Sequence, residues 1–169
     1  MSDRRYHIAQ INIAHMRAPL EDPQMAGFET RLDEINLLAD QSPGFIWRLQ
    51  TEDGDATSIE VFDDPLILVN LSVWASLEDL HRFVYDTSHL ELLRGKKNWF
   101  ERPDEPHLAL WWIAAGEIPD VEEARKRLFL LQEAGPGPEA FSFSTHFPQP
   151  GTMPSGQYQE GLDECPWPA

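Results

Sequence analysis

Two polar side chains interrupt an otherwise apolar segment, "LILVNLSVW", that ends at Trp74. Alternate residues of a strand share a face, so Asn70, Ser72 and Trp74 form one row. The segment "HIAQINI" at 7–13 gives a similar mixed row with Gln10 and Asn12. An amide can donate a hydrogen bond to a developing oxyanion without any change in charge. We therefore interpret Asn70 as a candidate catalytic residue and the other four as candidate substrate-binding residues.

The helix that follows contains "YDTSHLE", in which Ser88 and Glu91 have the spacing of a capping box. A second capping box inside one helical stretch predicts that the helix starting at 77 breaks near 86 and restarts at His89. The positive end of a helix dipole disfavours imidazolium, so His89 would be neutral there. A neutral imidazole is a candidate general base, which makes His89 the second candidate catalytic residue.

Both features also have a purely structural interpretation. Gln10 and Asn70 would then hydrogen-bond each other across neighbouring strands, since buried polar side chains commonly satisfy one another. His89 would be a half-buried histidine packed against Trp99 or Tyr85. The sequence leaves both interpretations open.

Hydrophobic periodicity places these residues in an alternating pattern of strands and helices. The predicted strands are 7–13, 45–50, 66–74 and 107–115, and the predicted helices are 22–40, 77 onward and 120–135. The order βαββαβ is that of an α+β, ferredoxin-like fold. The last helix, capped by Asp120, is an addition, and "AFSFSTHF" at 140–147 is expected to add a short edge strand.

The two faces of the sheet are expected to differ. The unbroken apolar row of Ile67, Val69, Leu71 and Val73 is assigned to the face under the helices. The mixed row is too apolar to face water, so a second copy of the chain is expected to cover it. The sequence thus predicts a homodimer with a cavity on the mixed face and His89 at its mouth.

Composition limits the classes of partner. The 169 residues include 29 acids against 13 bases, a formal net charge of −16 that disfavours nucleic acid and anionic membranes. We expect a domain over 1–148 and a Pro- and Gly-rich tail over 149–169 that holds the only cysteine, Cys165. No secretory signal or membrane span is visible, so a cytoplasmic protein is expected. No pair of histidines has the spacing of a helical zinc motif, so no metal is predicted.

Five segments together resemble a bacterial family of unknown function in the dimeric α/β barrel superfamily. They are "HIAQINIA", "GFIWRLQTEDGDA", "LVNLSVWASLEDLHRFVY", "SHLELLRGKKNWFE" and "LALWWIAAGEIPDVEEA". That superfamily also contains antibiotic-biosynthesis monooxygenases and haem-degrading monooxygenases. The resemblance implies a homodimer with a ligand cavity between the sheet and the helices.

The spacing from Asn70 to Trp74 is similar to the Asn-x-x-x-Trp strand ending of cofactor-independent, quinone-forming monooxygenases. By that comparison Asn70 would bind a substrate oxygen and Trp74 would stack on its ring. Phe83 and Trp112 are two further candidate substrate-binding residues. Haem-degrading relatives have a tryptophan near the position of Phe83 and an iron-binding histidine away from His89, so no cofactor is expected. The expected function is a cofactor-independent oxygenase, isomerase or cyclase acting on a hydrophobic or aromatic molecule. The alternatives are a non-catalytic ligand-binding or accessory dimer and a haem-binding relative.

Overall fold

A four-stranded antiparallel sheet forms the centre of the molecule. The computed structural model describes residues 5–50, 62–92 and 94–151, to which every structural statement below refers. The strands are β1 (Tyr6–His15), β2 (Phe45–Arg48), β3 (Ile67–Trp74) and β4 (Leu108–Ala114). Their order across the sheet is β2-β3-β1-β4, which places the first and third strands side by side in the middle. This order and the alternation with helices confirm the ferredoxin-like α+β fold.

Five α-helices surround the sheet: α1 (Ala26–Asp40), α2 (Leu77–Val84), α3 (Thr87–Leu92), α4 (Lys96–Trp99) and α5 (Val121–Ala134). A 3-10 turn, Pro23–Met25, precedes α1. The predicted caps are present: Ser76 accepts from the Asp79 amide at 3.1 Å, and Asp120 accepts from the Glu123 amide at 2.7 Å. None of the helices in the described ranges is both long and apolar enough to cross a membrane.

The expected edge strand at 140–147 is reduced to one bridge. Leu110 and Phe141 exchange two backbone hydrogen bonds, of 2.8 and 2.9 Å. The segment does not continue along β4 because its other backbone groups bond locally, from Ala140 to Gly137 and from Ser142 to Thr145. The last two residues of the predicted strand 45–50 are not part of β2, and the predicted tail lies outside the described residues from 152 onward.

The mixed row, not the apolar row, lies under α1 and α2. Ile8, Trp74 and Leu110 belong to one buried cluster with Ala39 of α1 and Phe83 of α2. The prediction that the row of Val69, Leu71 and Val73 faces these helices is therefore wrong. Hydrophobicity alone does not tell which face meets which helix, and the polar members of the mixed row bond to one another, as described below.

The apolar row is covered by the added helix α5. Val69, Leu71 and Val73 are almost completely buried in a cluster that includes Leu128 and Ala124 of α5. Both faces of the sheet are therefore covered within one chain. The exposed apolar sheet face from which the homodimer was predicted is not found among the described residues. The homodimer stays a prediction.

We predict that Leu128→Ala lowers the free energy of unfolding by about 2–5 kcal/mol, since it opens a cavity under a fully buried helix position. The matched substitution on the exposed face of the same helix, Lys126→Ala, should change it by less than about 0.5 kcal/mol. Urea unfolding followed by circular dichroism measures both. Equal effects of the two substitutions would mean that α5 does not pack on the sheet.

Candidate functional site

The polar members of the mixed row form a connected group in the middle of the sheet face that α1 and α2 cover. Gln10 Nε2 donates to Asn70 Oδ1 at 2.6 Å and to Ser72 Oγ at 3.0 Å. Trp74 Nε1 donates to the same Ser72 oxygen at 3.0 Å. The cross-strand amide contact expected under the structural interpretation is thus present, and it lets polar side chains occupy the inside of the fold.

Three amide atoms of this row have no hydrogen-bond partner within the described part of the chain: Oε1 of Gln10 and both Oδ1 and Nδ2 of Asn12. Asn12 is fully buried and lies opposite Asn70 in the register of β1 and β3. Leaving a buried polar group without a partner costs about 1–3 kcal/mol. Such groups accordingly mark the place where a polar ligand or an ordered water gains most.

A small cavity of about 10 Å³ adjoins the row, between the sheet and the helices. Its walls include five of the residues predicted from the sequence: Gln10, Asn70, Ser72, Trp74 and Phe83. The cavity is therefore on the predicted face, and between sheet and helices as the resemblance implies. Its volume suits about one water molecule rather than a metabolite.

The sequence pattern missed the walls supplied by β2 and α1. Phe45 and Arg48 both line the cavity although they are three residues apart, because a bulge between Phe45 and Trp47 shifts the register. In a strand without a bulge, residues three apart point to opposite faces. From α1 come Ile35, Asn36 and Ala39.

One ion pair closes this side of the cavity. The Arg48 guanidinium donates to the Asp40 carboxylate through two bonds, of 2.8 and 3.3 Å. Arg48 is buried, whereas the Asp40 side chain is 39% exposed. A two-point contact of this kind fixes the guanidinium plane and links α1 to β2.

Trp74 is enclosed by protein rings. Phe83 stacks on its indole with the ring centres 5.0 Å apart, and Phe45 meets it edge-on at 5.4 Å. Only 1% of Trp74 is exposed. Stacking of Trp74 on a ligand ring therefore stays a prediction, and it requires Phe83 to move.

His89 lies behind Phe83, with the two ring centres 4.6 Å apart. The predicted break is confirmed, since α2 ends at Val84 and α3 begins at Thr87, two residues before the predicted restart. The prediction that His89 stands at the cavity mouth is wrong: it is fully buried and is not part of the cavity wall. The break turns the imidazole inward toward the end of α2.

The environment of His89 fixes its protonation. Its Nδ1 lies 3.0 Å from the Val84 carbonyl oxygen, which can only accept, so Nδ1 carries the proton. Nε2 then presents a lone pair that has no partner among the described residues. Burial lowers the pKa of His89 to about 4, with the Val84 contact opposing that shift. The imidazole is therefore neutral at pH 7 and able to accept a proton or a hydrogen bond.

Trp112 lies on the sheet face that α1 and α2 cover, but it is not part of the cavity wall. It lies opposite Ile8 on β4, and its Nε1 donates to the Phe147 carbonyl at 2.8 Å. Its indole thus anchors the segment after α5. In the described residues no group of three or more histidine, cysteine or acidic side chains is arranged to hold a metal ion.

The family model described as "Domain of unknown function (DUF3291)" matches residues 7–157. The chain belongs to this family. No curated protein matches this chain in sequence.

Several solved structures are similar in shape to the DUF3291 chain. SnoaB, a cofactor-independent oxygenase from Streptomyces nogalater, has 17% identity and a TM-score of 0.44, over 68% of this chain and 98% of that chain. A putative antibiotic biosynthesis monooxygenase from Nitrosomonas europaea has 14% identity and a TM-score of 0.41, over 70% and 95%. One from Chloroflexus aurantiacus J-10-fl has 14% identity and a TM-score of 0.40, over 68% and 98%.

We predict that the titration of His89 makes the protein less stable as the pH falls. Its pKa is about 4 when folded and about 6.5 when unfolded, so between these values the unfolded chain binds the extra proton. The contribution of neutral His89 to the free energy of unfolding is complete above pH 6.5. It is lost progressively down to pH 4, by about 3 kcal/mol in total. Unfolding free energies from pH 4 to 7 should show a weaker slope for His89→Gln than for the wild type. An unchanged slope would mean that His89 titrates normally.

A second prediction separates Asn12 from Gln10. Asn12→Leu should leave the free energy of unfolding unchanged or raise it by about 1 kcal/mol, because it removes two unpaired buried polar atoms. Gln10→Leu should lower it by about 1–3 kcal/mol, because it removes both donated bonds and leaves Asn70 and Ser72 short of a donor. Parallel urea titrations test the pair. A large loss of stability in Asn12→Leu would show that the amide of Asn12 is paired within the fold.

Proposed function

We propose that this protein is a small-molecule enzyme, a cofactor-independent monooxygenase-like protein that acts on a hydrophobic or aromatic metabolite. One observation carries the proposal: an amide row with unpartnered atoms lies buried beneath an apolar helical cover. A phenolic oxygen is small and polar, and it is attached to an apolar ring. It matches a site in which a few hydrogen-bonding groups stand inside a mainly apolar enclosure.

The amide row supplies the groups that would hold the substrate oxygen. Asn70 uses its Oδ1 as the acceptor for Gln10, which leaves its Nδ2 group to donate to an oxyanion. Asn12, which lies directly opposite Asn70 on β1, adds a second donor. Donors fixed by the sheet before the reaction stabilise charge as it develops, because they need not reorganise.

His89 would supply the base. Its neutral Nε2 is free of partners in the described residues and is buried next to Phe83, a wall of the cavity. Removal of the phenolic proton gives an electron-rich anion that can react with O₂ without a metal or flavin. One oxygen atom becomes the new quinone oxygen and the other leaves as water, so that no external reductant is needed.

Access requires the helical cover to move, because the cavity of about 10 Å³ cannot hold an aromatic metabolite. α3 is only six residues long, and it follows α2 after a break at 85–86. Displacement of Phe83 and α3 would open the space over the amide row, free one face of Trp74 and bring His89 toward the ligand. Such local opening is typical of binding elements with few tertiary contacts.

The second candidate is a non-catalytic protein that binds the ligand or serves as an accessory subunit. The observation that favours it is the set of hydrogen bonds among Gln10, Asn70, Ser72 and Trp74, which satisfies much of the row without a substrate. The haem alternative has less support, since the enclosed space is smaller than any macrocycle and His89 is fully buried. We propose no cofactor, and we retain a homodimer in the cytoplasm as the expected state.

We predict oxygen consumption when the purified protein is mixed with phenols, quinols or anthrone-like compounds that form stabilised anions. Asn70→Ala and His89→Ala should each lower turnover on the order of a hundredfold, the scale for losing an oxyanion donor or a general base. Asn98→Ala, an exposed amide on α4, is the matched control and should turn over like the wild type. Oxygen electrode traces and quinone absorbance measure the rates.

The outcomes separate the candidates. Saturable binding of such compounds without oxygen uptake would support the non-catalytic function. A coloured preparation with a Soret band would contradict the cofactor-free proposal. Equal rates in wild type, Asn70→Ala and His89→Ala, with all three folded, would show that the two residues have only a structural role.

A further inference from the structure

An open groove of about 1130 Å³ lies apart from the buried cavity, at the end of the sheet where β4 begins. Its walls come from α4, the loop before β4, the end of α5 and residues 142–145. No residue of the groove wall is shared with the buried cavity. This groove is larger than most small-molecule pockets, so a ligand would occupy part of it.

Four of the thirteen lysine and arginine residues of the chain line this groove: Arg17, Lys96, Lys97 and Arg102. Two carboxylates, Asp104 and Glu105, also line it, so cations outnumber anions there in a protein with a net charge of −16. Within the described ranges, Arg17, Lys97 and Arg102 have no carboxylate at salt-bridge distance. Unpaired cations are notable in a chain with more than twice as many acids as bases.

The cationic wall is held in place by the backbone. The Arg17 amide donates to the Trp99 carbonyl at 2.8 Å, and its Nε donates to the Lys97 carbonyl at 2.9 Å. These two bonds tie the end of β1 to α4 and bring the Arg17 guanidinium and the α4 lysines to one side of the groove. An anionic group bound there would meet several positive charges at once.

Apolar side chains form another part of the lining. Pro103, Pro106 and Pro136 present apolar surface to the groove, whereas Leu108, Leu131 and Phe143 also line it but are almost fully buried. Gln132 on α5 donates to the Pro106 carbonyl at 2.8 Å, which fixes this side of the groove. The groove thus combines a cationic wall with an apolar one.

We propose that this groove binds a small amphiphilic anion, a molecule with a carboxylate head and an apolar chain or ring. The head would pair with Arg17, Lys97 and Arg102, and the apolar body would lie along Pro103, Pro106 and Pro136. Charge complementarity selects the sign of the head, and the apolar wall selects against fully hydrated ions such as acetate. The proposal does not depend on the oxygenase proposal, because it concerns a different set of residues.

Isothermal titration with three probes tests the proposal: decanoate, decanol and acetate. Decanoate should bind the full-length protein at one saturable site, while decanol and acetate should bind at least about tenfold more weakly, since each lacks one of the two interactions. Decanoate should shift the backbone amide resonances of Leu131 and Gln132 and leave those of Gln10 and Asn70 in place. Absence of saturable decanoate binding, or decanol binding as tightly as decanoate, overturns the proposal.

Charge reversal gives the matched comparison. Lys97→Glu and Arg102→Glu should each weaken decanoate binding by about tenfold or more. Lys126→Glu makes the same change on the exposed face of α5, outside the groove, and should leave the affinity within about twofold. If Lys126→Glu weakens binding as much as the groove variants, decanoate responds to net charge alone and the proposal is wrong.

The C-terminal segment of the chain is the competing occupant of the groove. Residues 156–169 contain three acids and no lysine or arginine. If a peptide of that sequence shifts the Leu131 and Gln132 resonances and decanoate does not, the groove holds the C-terminal segment and not a small amphiphile.

Discussion

The burial of Gln10, Asn12 and Ser72 on the face of the sheet under α1 and α2, beside the half-buried Asn70, is the constraint on which the rest of the structure depends. A sheet residue can be polar inside a fold only if its hydrogen-bonding atoms are satisfied. Gln10 meets most of that demand, since its amide nitrogen bonds both Asn70 and Ser72, and Ser72 also accepts from Trp74. Because the two bonds donated by Gln10 run from β1 to β3, they hold these strands at one register. Among the described residues, Oε1 of Gln10 and both amide atoms of Asn12 are the exceptions, and they are the strongest sign that the row has a use beyond packing.

The cover over this row is built from short pieces. The chain between Ser76 and Trp99 forms three helices, and the longest of them, α2, has eight residues. His89 is placed by the break between α2 and α3, where the Val84 carbonyl at the end of α2 accepts a hydrogen bond from its Nδ1–H. The same break separates α2 from the six-residue α3, whose displacement the proposed function requires. The burial of His89 and the division of the helical cover thus arise from one feature of the sequence, "YDTSHLE".

The elements and the family could be predicted from the sequence, but the faces of the sheet could not. Caps such as Ser76 and Asp120 and the periodicity of α5 are local signals, and the structure confirms them. Which row meets which helix is a tertiary matter: Val69, Leu71 and Val73 find their partners on α5, some fifty residues away in sequence. The bulge in β2, which brings Phe45 and Arg48 to one cavity, has no marker in "FIWRLQ". His89 was found from its capping box, yet its complete burial behind Phe83 follows from packing alone.

The proposed function requires α3 to open over the amide row, so that a ligand gains access to it. Native-state hydrogen exchange at low denaturant measures this opening. We expect the Leu90 amide, bonded to the Asp86 carbonyl at 3.0 Å, to exchange through an opening at least about 2 kcal/mol less costly than that of Ile11 in the central strand β1. Equal opening free energies for the two amides would contradict it, because the cavity of about 10 Å³ would then stay closed in the folded state.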